Sequence, residues 1–288
     1  MTKKIERLLL AAGAAVAALA FAGAAQAACV GAGVVTRIDG NPAGVNIARA
    51  GAAVSRPRVL EVVCVGDRIA ATGDTRLTLS LDGRGVVKVD AKAPFVVAAR
   101  AGAPTMVGNA YRAVNDQVMP DMKRLPWDVR LKGGADSFGF ALPQLAAGSQ
   151  ELSPGPRALL VRLTGGAGPY KATLSGPGGQ VLGEASGAGD LVFATISFAP
   201  GRYHLAATDA SGGAVQADFT VSAGAPGLPQ TYAALSDPEV RAAATACALA
   251  RADSATHALE AEQVLAAAPS NGLDRARVYA LIESYGLD

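Results

Sequence analysis

Aromatic residues make up only 5% of the 288-residue chain, with one tryptophan, and histidine occurs just twice. Few aromatics leave little material for the stacking platforms that hold sugars. His204 and His257 stand apart, with no paired metal ligand at helical spacing and no serine elbow nearby, so neither is assigned as a catalytic base or metal ligand. The three cysteines, Cys29, Cys64 and Cys247, form no CxxC and cluster with no histidine, which removes the ground for a metal or redox site. Gly165-Gly166-Ala167-Gly168 and the run from Gly176 to Gly183 lack a GK[ST] sequel, so a phosphate-binding loop is not indicated. What is abundant is glycine (34), proline (16) and apolar side chains (50%), a composition that suits an alanine-rich and glycine-rich β protein rather than a disordered one.

Residues 1–27 read as a secretory signal peptide. Lys3, Lys4 and Arg7 form its positive end, Leu8 to Ala22 its apolar core, and Ala25-Gln26-Ala27 a small-x-small cleavage site before Ala28. Two readings compete with cleavage. An uncleaved anchor would have a short core for a spanning helix, and lipidation of Cys29 would place Gln26 where such signals carry an aliphatic residue. Cleavage removes three of 26 basic residues and one of 24 acidic ones, leaving 23 of each. A neutral mature chain offers no case for nucleic acid, which requires concentrated positive charge. Export favours a periplasmic location, with a secreted or surface-associated product as the alternative. It also favours a Cys29–Cys64 disulfide, because both residues accompany the first β unit while Cys247 lies far off in a different composition. Three reduced thiols, packed as small hydrophobes, are the competing reading.

From Val59 to Val97 the pattern is that of short strands. Leu77, Leu79 and Leu81 alternate with Arg76, Thr78 and Ser80, as in a strand with one buried and one wet face. Asp82, Gly83, Arg84 and Gly85 supply a turn, after which Val87 and Val89 resume the apolar face around Lys88. Asp67, Asp74, Asp82 and Asp90 recur beside turns, where acidic residues bond their own backbone, and a calcium loop at Asp82 would need a higher density of ligands.

Gly66-Asp67-Arg68-Ile69, Thr72-Gly73 and the leucine alternation closing on Leu81-Asp82-Gly83 resemble the core pattern of the FecR-type periplasmic domain. The segment from Gly33 to Arg49 is similar to that family's opening strands, so the resemblance covers about residues 32 to 100. It implies a small β-sheet unit outside the inner membrane. The best-known members act in cell-surface signalling with a sigma-factor partner; this chain departs from them in lacking a cytoplasmic segment and internal anchor, so the fold carries over better than the regulatory role.

Between Gly102 and Leu145 the apolar positions are irregular and interrupted by Pro104, Pro120 and Pro126, as in a connector able to add a strand or a short helix. Trp127 alternates with Val129 and Leu131 and reads as core, against a ligand-stacking platform. From Gln150 to Val221, alternations at Leu159–Leu163, Tyr170–Leu174, Leu191–Thr195, Tyr203–Ala207 and Ala217–Val221 suggest a two-layer sandwich. Ala199 to Val221 resembles the last strand pair of immunoglobulin-like or fibronectin-type modules, which implies the architecture and no particular role. Beyond it, Ser236 is expected to cap a helix with Pro238 in its first turn and Glu239 completing a capping box. Helices from about Ser254 to Ala267 and from about Gly272 follow. His204, out of phase with Tyr203 and Leu205, reads as an exposed strand residue, and His257 as helix surface.

The expected fold is therefore mainly β: a small FecR-like β-sheet unit and an immunoglobulin-like sandwich, with a short C-terminal helical segment. The division runs 1–27 signal peptide, 28–101 FecR-like domain, 102–148 connector, 149–222 sandwich, 223–235 linker and 236–288 helical segment. No catalytic, cofactor-binding or metal-ligating residue is assigned, and no cofactor is implied. The expected function is a non-catalytic protein-interaction or scaffold role in the cell envelope, feeding a periplasmic signalling complex, with an envelope protein as partner and no membrane span after cleavage. Glycan binding is the alternative. A hydrolase with an acidic pair that meets only in three dimensions comes third.

Overall fold

The leucine alternation folds as expected and is buried on both sides. In the computed structural model, which describes residues 29–50, 52–99, 105–126, 137–223 and 230–285, the chain opens with seven strands: β1 (Gly31–Asp39), β2 (Val45–Ala48), β3 (Val62–Cys64), β4 (Arg68–Ala71), β5 (Arg76–Leu81), β6 (Gly85–Val89) and β7 (Phe95–Val96). They form a four-stranded sheet in the order β3-β1-β5-β6 and a three-stranded sheet β2-β4-β7. The hairpin pairs Leu77 with Val89 and Leu79 with Val87, and Gly83 and Gly85 carry its turn at φ of 68° and 71°, where an L side chain would be strained. Val35, Ile47, Ile69, Leu77, Leu79 and Val89 make the unit's own core. Thr78 and Ser80, expected on a wet face, are buried as well. The reason is tertiary: Ser80 Oγ donates to Asp237 Oδ2 (2.6 Å) at the start of a C-terminal helix, and Asp274 N donates to Thr36 O (2.8 Å) from the loop before another.

Residues 105–124 are helical, as α1 (Thr105–Ala113), a π turn at Val114–Val118 and α2 (Met119–Arg124). Ala110, Tyr111, Val114, Val118, Met119 and Met122 face the large core, so the apolar positions that look irregular as a strand belong to helical turns. Trp127 lies outside the described residues, as does the expected leader at residues 1–27.

The next strands are β8 (Gly139–Phe140), then, after the single turn α3 (Pro143–Ala146), β9 (Gln150–Leu152), β10 (Gly155–Val161), β11 (Leu163–Thr164), β12 (Tyr170–Ser175), β13 (Val181–Gly187), β14 (Leu191–Phe198), β15 (Gly201–Thr208) and β16 (Ala214–Val221). A five-stranded sheet β13-β12-β15-β16-β9, with the last pair parallel, faces the two-stranded sheet β10-β14. Leu159, Val161, Phe193 and Ile196 of one sheet meet Leu174, Tyr203, Leu205 and Phe219 of the other, and Phe198 reaches across to the Tyr203 ring at 5.2 Å.

The mainly β class does not hold. The chain is a mixed α/β fold with three substantial C-terminal helices, α4 (Pro238–Arg251), α5 (Ala258–Ala267) and α6 (Arg275–Ser284). They are no short tail: Val240, Cys247, Leu249, Leu259, Leu265, Val278 and Ile282 join the same buried cluster as Phe193 and Phe219. Alanine explains the misreading, because Ala243, Ala244, Ala246, Ala250, Ala258 and Ala261 are fully buried and let helices approach closely without showing an apolar stripe of large residues. The cap of α4 is also shifted by one position. Asp237, not Ser236, accepts from Glu239 N (2.9 Å) and Val240 N (3.2 Å). Glu239, instead of closing a capping box, accepts from Asn271 N, Leu273 N and Arg275 Nε and so holds the α5–α6 loop.

Candidate functional site

Strand β10 ends the small sheet, and its outer edge would be left with unpaired backbone groups if nothing covered it. Helix α5 covers it with side chains. Gln263 Oε1 accepts from Leu160 N (2.7 Å) while its Nε2 donates to Leu160 O (3.1 Å), so one amide takes the place of a neighbouring strand residue. Glu260 accepts from Ser153 N and from Arg157 Nη1, each at 2.9 Å. Buried Gln150 reciprocates, donating to Ala255 O (2.9 Å) and accepting from Leu259 N (2.9 Å) in the first turn of α5.

This docking leaves a groove of about 640 Å³ between the outer face of β10-β14 and the flank of α5 and α6. Leu160 and Val192, cross-strand partners, form its apolar floor with Ala158, and Val192 is 61% exposed. Arg157, Arg275, Asp190 and Tyr279 supply its polar wall. The two arginines are already matched, Arg157 by Glu260 and Arg275 by Glu239 (2.6 Å).

Behind Tyr279 lies a carboxyl pair that sequence spacing gave no means of finding. Glu262 of α5 and Glu283 of α6 adjoin, 1% and 2% exposed. Burial raises both carboxyls well above the ordinary carboxylate range, against the opposing pull of Arg162. Arg162, between β10 and β11, bonds Glu283 Oε1, lies 3.4 Å from Asp190 Oδ2 and stacks 4.3 Å above the Tyr279 ring. The same burial pushes the Tyr279 hydroxyl up to about 12.

The residues singled out from sequence are held elsewhere. Asp67 is buried in a structural role, gripping Arg49 Nε and Nη2 (2.9 and 2.8 Å) and accepting from Cys64 N (2.8 Å). Cys29 and Cys64 form the disulfide, with Cα atoms 5.3 Å apart; Cys247 is free, buried, and has its thiol pushed up to about 12 by that burial. Asp209 accepts from Ala167 N (3.0 Å), Ser211 N (3.0 Å) and Gly213 N (2.6 Å), and these bonds, Ala167's first, hold its carboxyl below the usual range. The glycine-rich loop at Gly165 thus has an anion of its own chain against it. His257 is not helix surface but buried at the N-cap of α5, with its Nδ1 unpartnered.

His204 stands on the open face of the five-stranded sheet. Its Nδ1 lies 2.8 Å from Asp218 Oδ1, Arg202 Nη2 lies 2.7 Å from Asp218 Oδ2, and the histidine bond leads in holding Asp218 below its ordinary range. Ser175 is the cross-strand neighbour of His204. Among the described residues no hydrogen bond joins the two, and the shallow cleft beside them, about 430 Å³, is open to water. The row is a solvated ion network. Among the described residues no group of three His, Cys, Asp or Glu side chains could hold a metal ion, and no helix is long and apolar enough to cross a membrane.

No protein-family model matches this chain, and no curated protein does. The chain is partly similar to solved structures. One is CopC from Methylosinus trichosporium OB3b, at 21% identity over 25% of this chain and 82% of that one, with a TM-score of 0.22. Another is an engineered protein, at 19% identity over 30% of this chain and 20% of that one, TM-score 0.23. A third is the ZIG-8–RIG-5 IG1–IG1 heterodimer, at 12% identity over 37% of this chain and 98% of that one, TM-score 0.20.

Proposed function

We propose that this is a non-catalytic interaction or scaffold protein of the cell envelope, exported to the periplasm by the leader at residues 1–27, with residues about 32 to 100 as a FecR-like unit. Its partner is a protein segment, and the groove of about 640 Å³ between β10-β14 and helices α5 and α6 receives it. One observation carries the reading: the groove's arginines are consumed in ion pairs that dock α5 and α6, while Leu160, Ala158 and the 61% exposed Val192 leave its floor apolar. A floor of that kind favours burial of a partner's side chains. The Glu262–Glu283 pair gives the hydrolase reading little support, since at 1% and 2% exposure neither carboxyl meets the groove. A photo-crosslinking residue at exposed Ala158 of the full chain tests the proposal in intact cells. A discrete protein adduct is expected from Ala158, absent from a control at exposed Thr208 and lost on Val192→Asp. Equal labelling from both positions, or no adduct from Ala158, overturns it.

A further inference from the structure

The carboxyl pair behind the groove has more negative charge than its surroundings can match. From the sandwich, Arg162 and the half-exposed Asp190 face it; from α6, Tyr279 faces it, and Arg275 beside Tyr279 is already held by Glu239 of α4. From α3, Gln144 donates its amide to the backbone oxygens of Glu283 and Tyr285. Arg162 is thus the one cation of the described surroundings in contact with the pair, and it is shared with Asp190. Two ionised carboxylates at this depth would leave an uncompensated buried charge. The hydrogen bonding says the same independently: Glu262 Oε1 and Glu283 Oε2 are buried acceptors with no donor, although the two side chains adjoin.

We propose that Glu262 and Glu283 share one proton, and that this proton latches α5 and α6 to the sandwich, so that its loss under alkaline conditions loosens the joint. With the proton in place, one carboxyl donates to the other, the remaining charge pairs with Arg162, and Arg162 stays stacked on Tyr279. Without it, two like charges adjoin in a site shielded from water, and the relief is for α5 and α6 to lift from the sandwich so that water enters and solvates both carboxylates. The direction of the effect follows from linkage. Carboxyls raised in the folded state bind protons more tightly than in the unfolded chain, so their stabilisation is complete below the ordinary carboxyl range and is lost as pH rises through the folded values. This is the reverse of the usual effect of salt-bridged carboxylates.

Urea denaturation of the mature chain from about pH 5 to about pH 9 tests the latch, the unfolding equilibrium constant changing about tenfold per pH unit for each proton linked. The midpoint is expected to fall as pH rises. Glu283→Gln, whose amide donates permanently to Glu262, is expected to flatten that slope and to raise the midpoint at the alkaline end. Carbon-13 NMR of glutamate-labelled wild-type protein gives a reading that needs no variant, with two side-chain carboxyls expected to titrate above all others. Hydrogen exchange at Leu160 N reports the joint itself and should accelerate at alkaline pH beyond the intrinsic base catalysis in wild type but not in Glu283→Gln. Stability that is flat or rises over this range, or carboxyls that all titrate in the ordinary range, would overturn the proposal.

Discussion

Asp67 shows how far a single residue's role can lie from its sequence context. It stands in a Gly-Asp turn, and turn chemistry is all that its neighbours suggest. In the fold it is 1% exposed and accepts three hydrogen bonds, two from Arg49 and one from Cys64 N, so it ties the β2 end to the disulfide-bearing β3. Asp67→Ala leaves a partly buried guanidinium and a buried N–H without their acceptor. The expected loss is about 2 to 3 kcal/mol, measured by urea denaturation with the disulfide intact. Asp67→Asn, which keeps one acceptor oxygen, should lose less. A loss under about 0.5 kcal/mol, the size of an ordinary surface change, would show the turn reading to be sufficient. The Cys29–Cys64 bond was legible because the expected export and the place of both cysteines beside one β unit pointed to it; Arg49 as the partner of Asp67 was not, since 18 residues separate them and no local pattern links the two.

At the scale of elements, strands were easier to read than helices for a physical reason. Alternation of Leu77, Leu79 and Leu81 survives in any sheet with a buried face, whereas the faces of α4 and α5 are built from alanine and carry buried polar residues such as Glu239, Glu260 and Gln263. Those polar residues look like a wet face. They are buried because they replace missing backbone partners: Gln263 takes both groups of Leu160, and Glu260 takes Ser153 N together with Arg157. The groove inherits this, since its position depends on where α5 docks and could not be inferred from strand spacing. Gln263→Ala should therefore behave as loss of an edge pairing rather than as a surface change, costing about 1 to 3 kcal/mol by thermal or urea denaturation. Amide exchange at Leu160 should speed up selectively. An exchange rate unchanged at Leu160 would mean that α5 seals the strand without its amide.

Over the whole molecule, the sequence suggests a row of separate pieces and the packing joins them. Val34, Leu60 and Val62 of the first β unit, Val114 and Met119 of the middle helices, Phe193 and Phe219 of the sandwich, and Val240, Leu265 and Ile282 of the C-terminal helices belong to one buried cluster. Among the described residues, Val35, Ile47, Ile69 and their neighbours form a separate core. The polar joints agree: Ser80 to Asp237, Thr36 to Asp274, Tyr232 to Gln117 and Tyr285 to Asp121 each tie a C-terminal element to an earlier one. A chain ended after residue 222 would lose α4, α5 and α6 at once. That bares the apolar positions they cover and strips the edge of β10 of Gln263 and Glu260, and an exposed strand edge beside exposed apolar surface is an aggregation hazard. The expected outcome for residues 28–222 is a product that binds a hydrophobic dye, has weak near-ultraviolet circular dichroism and unfolds without a sharp transition. Residual cooperative unfolding, if seen, should come from the first β unit, whose own core around Leu77 and Ile69 remains covered. The decisive comparison is with residues 28–288 under the same conditions. If the truncated chain matches it in midpoint and steepness, the helices are an appendage on a self-sufficient β core, and the shared cluster contributes nothing to holding the sandwich together.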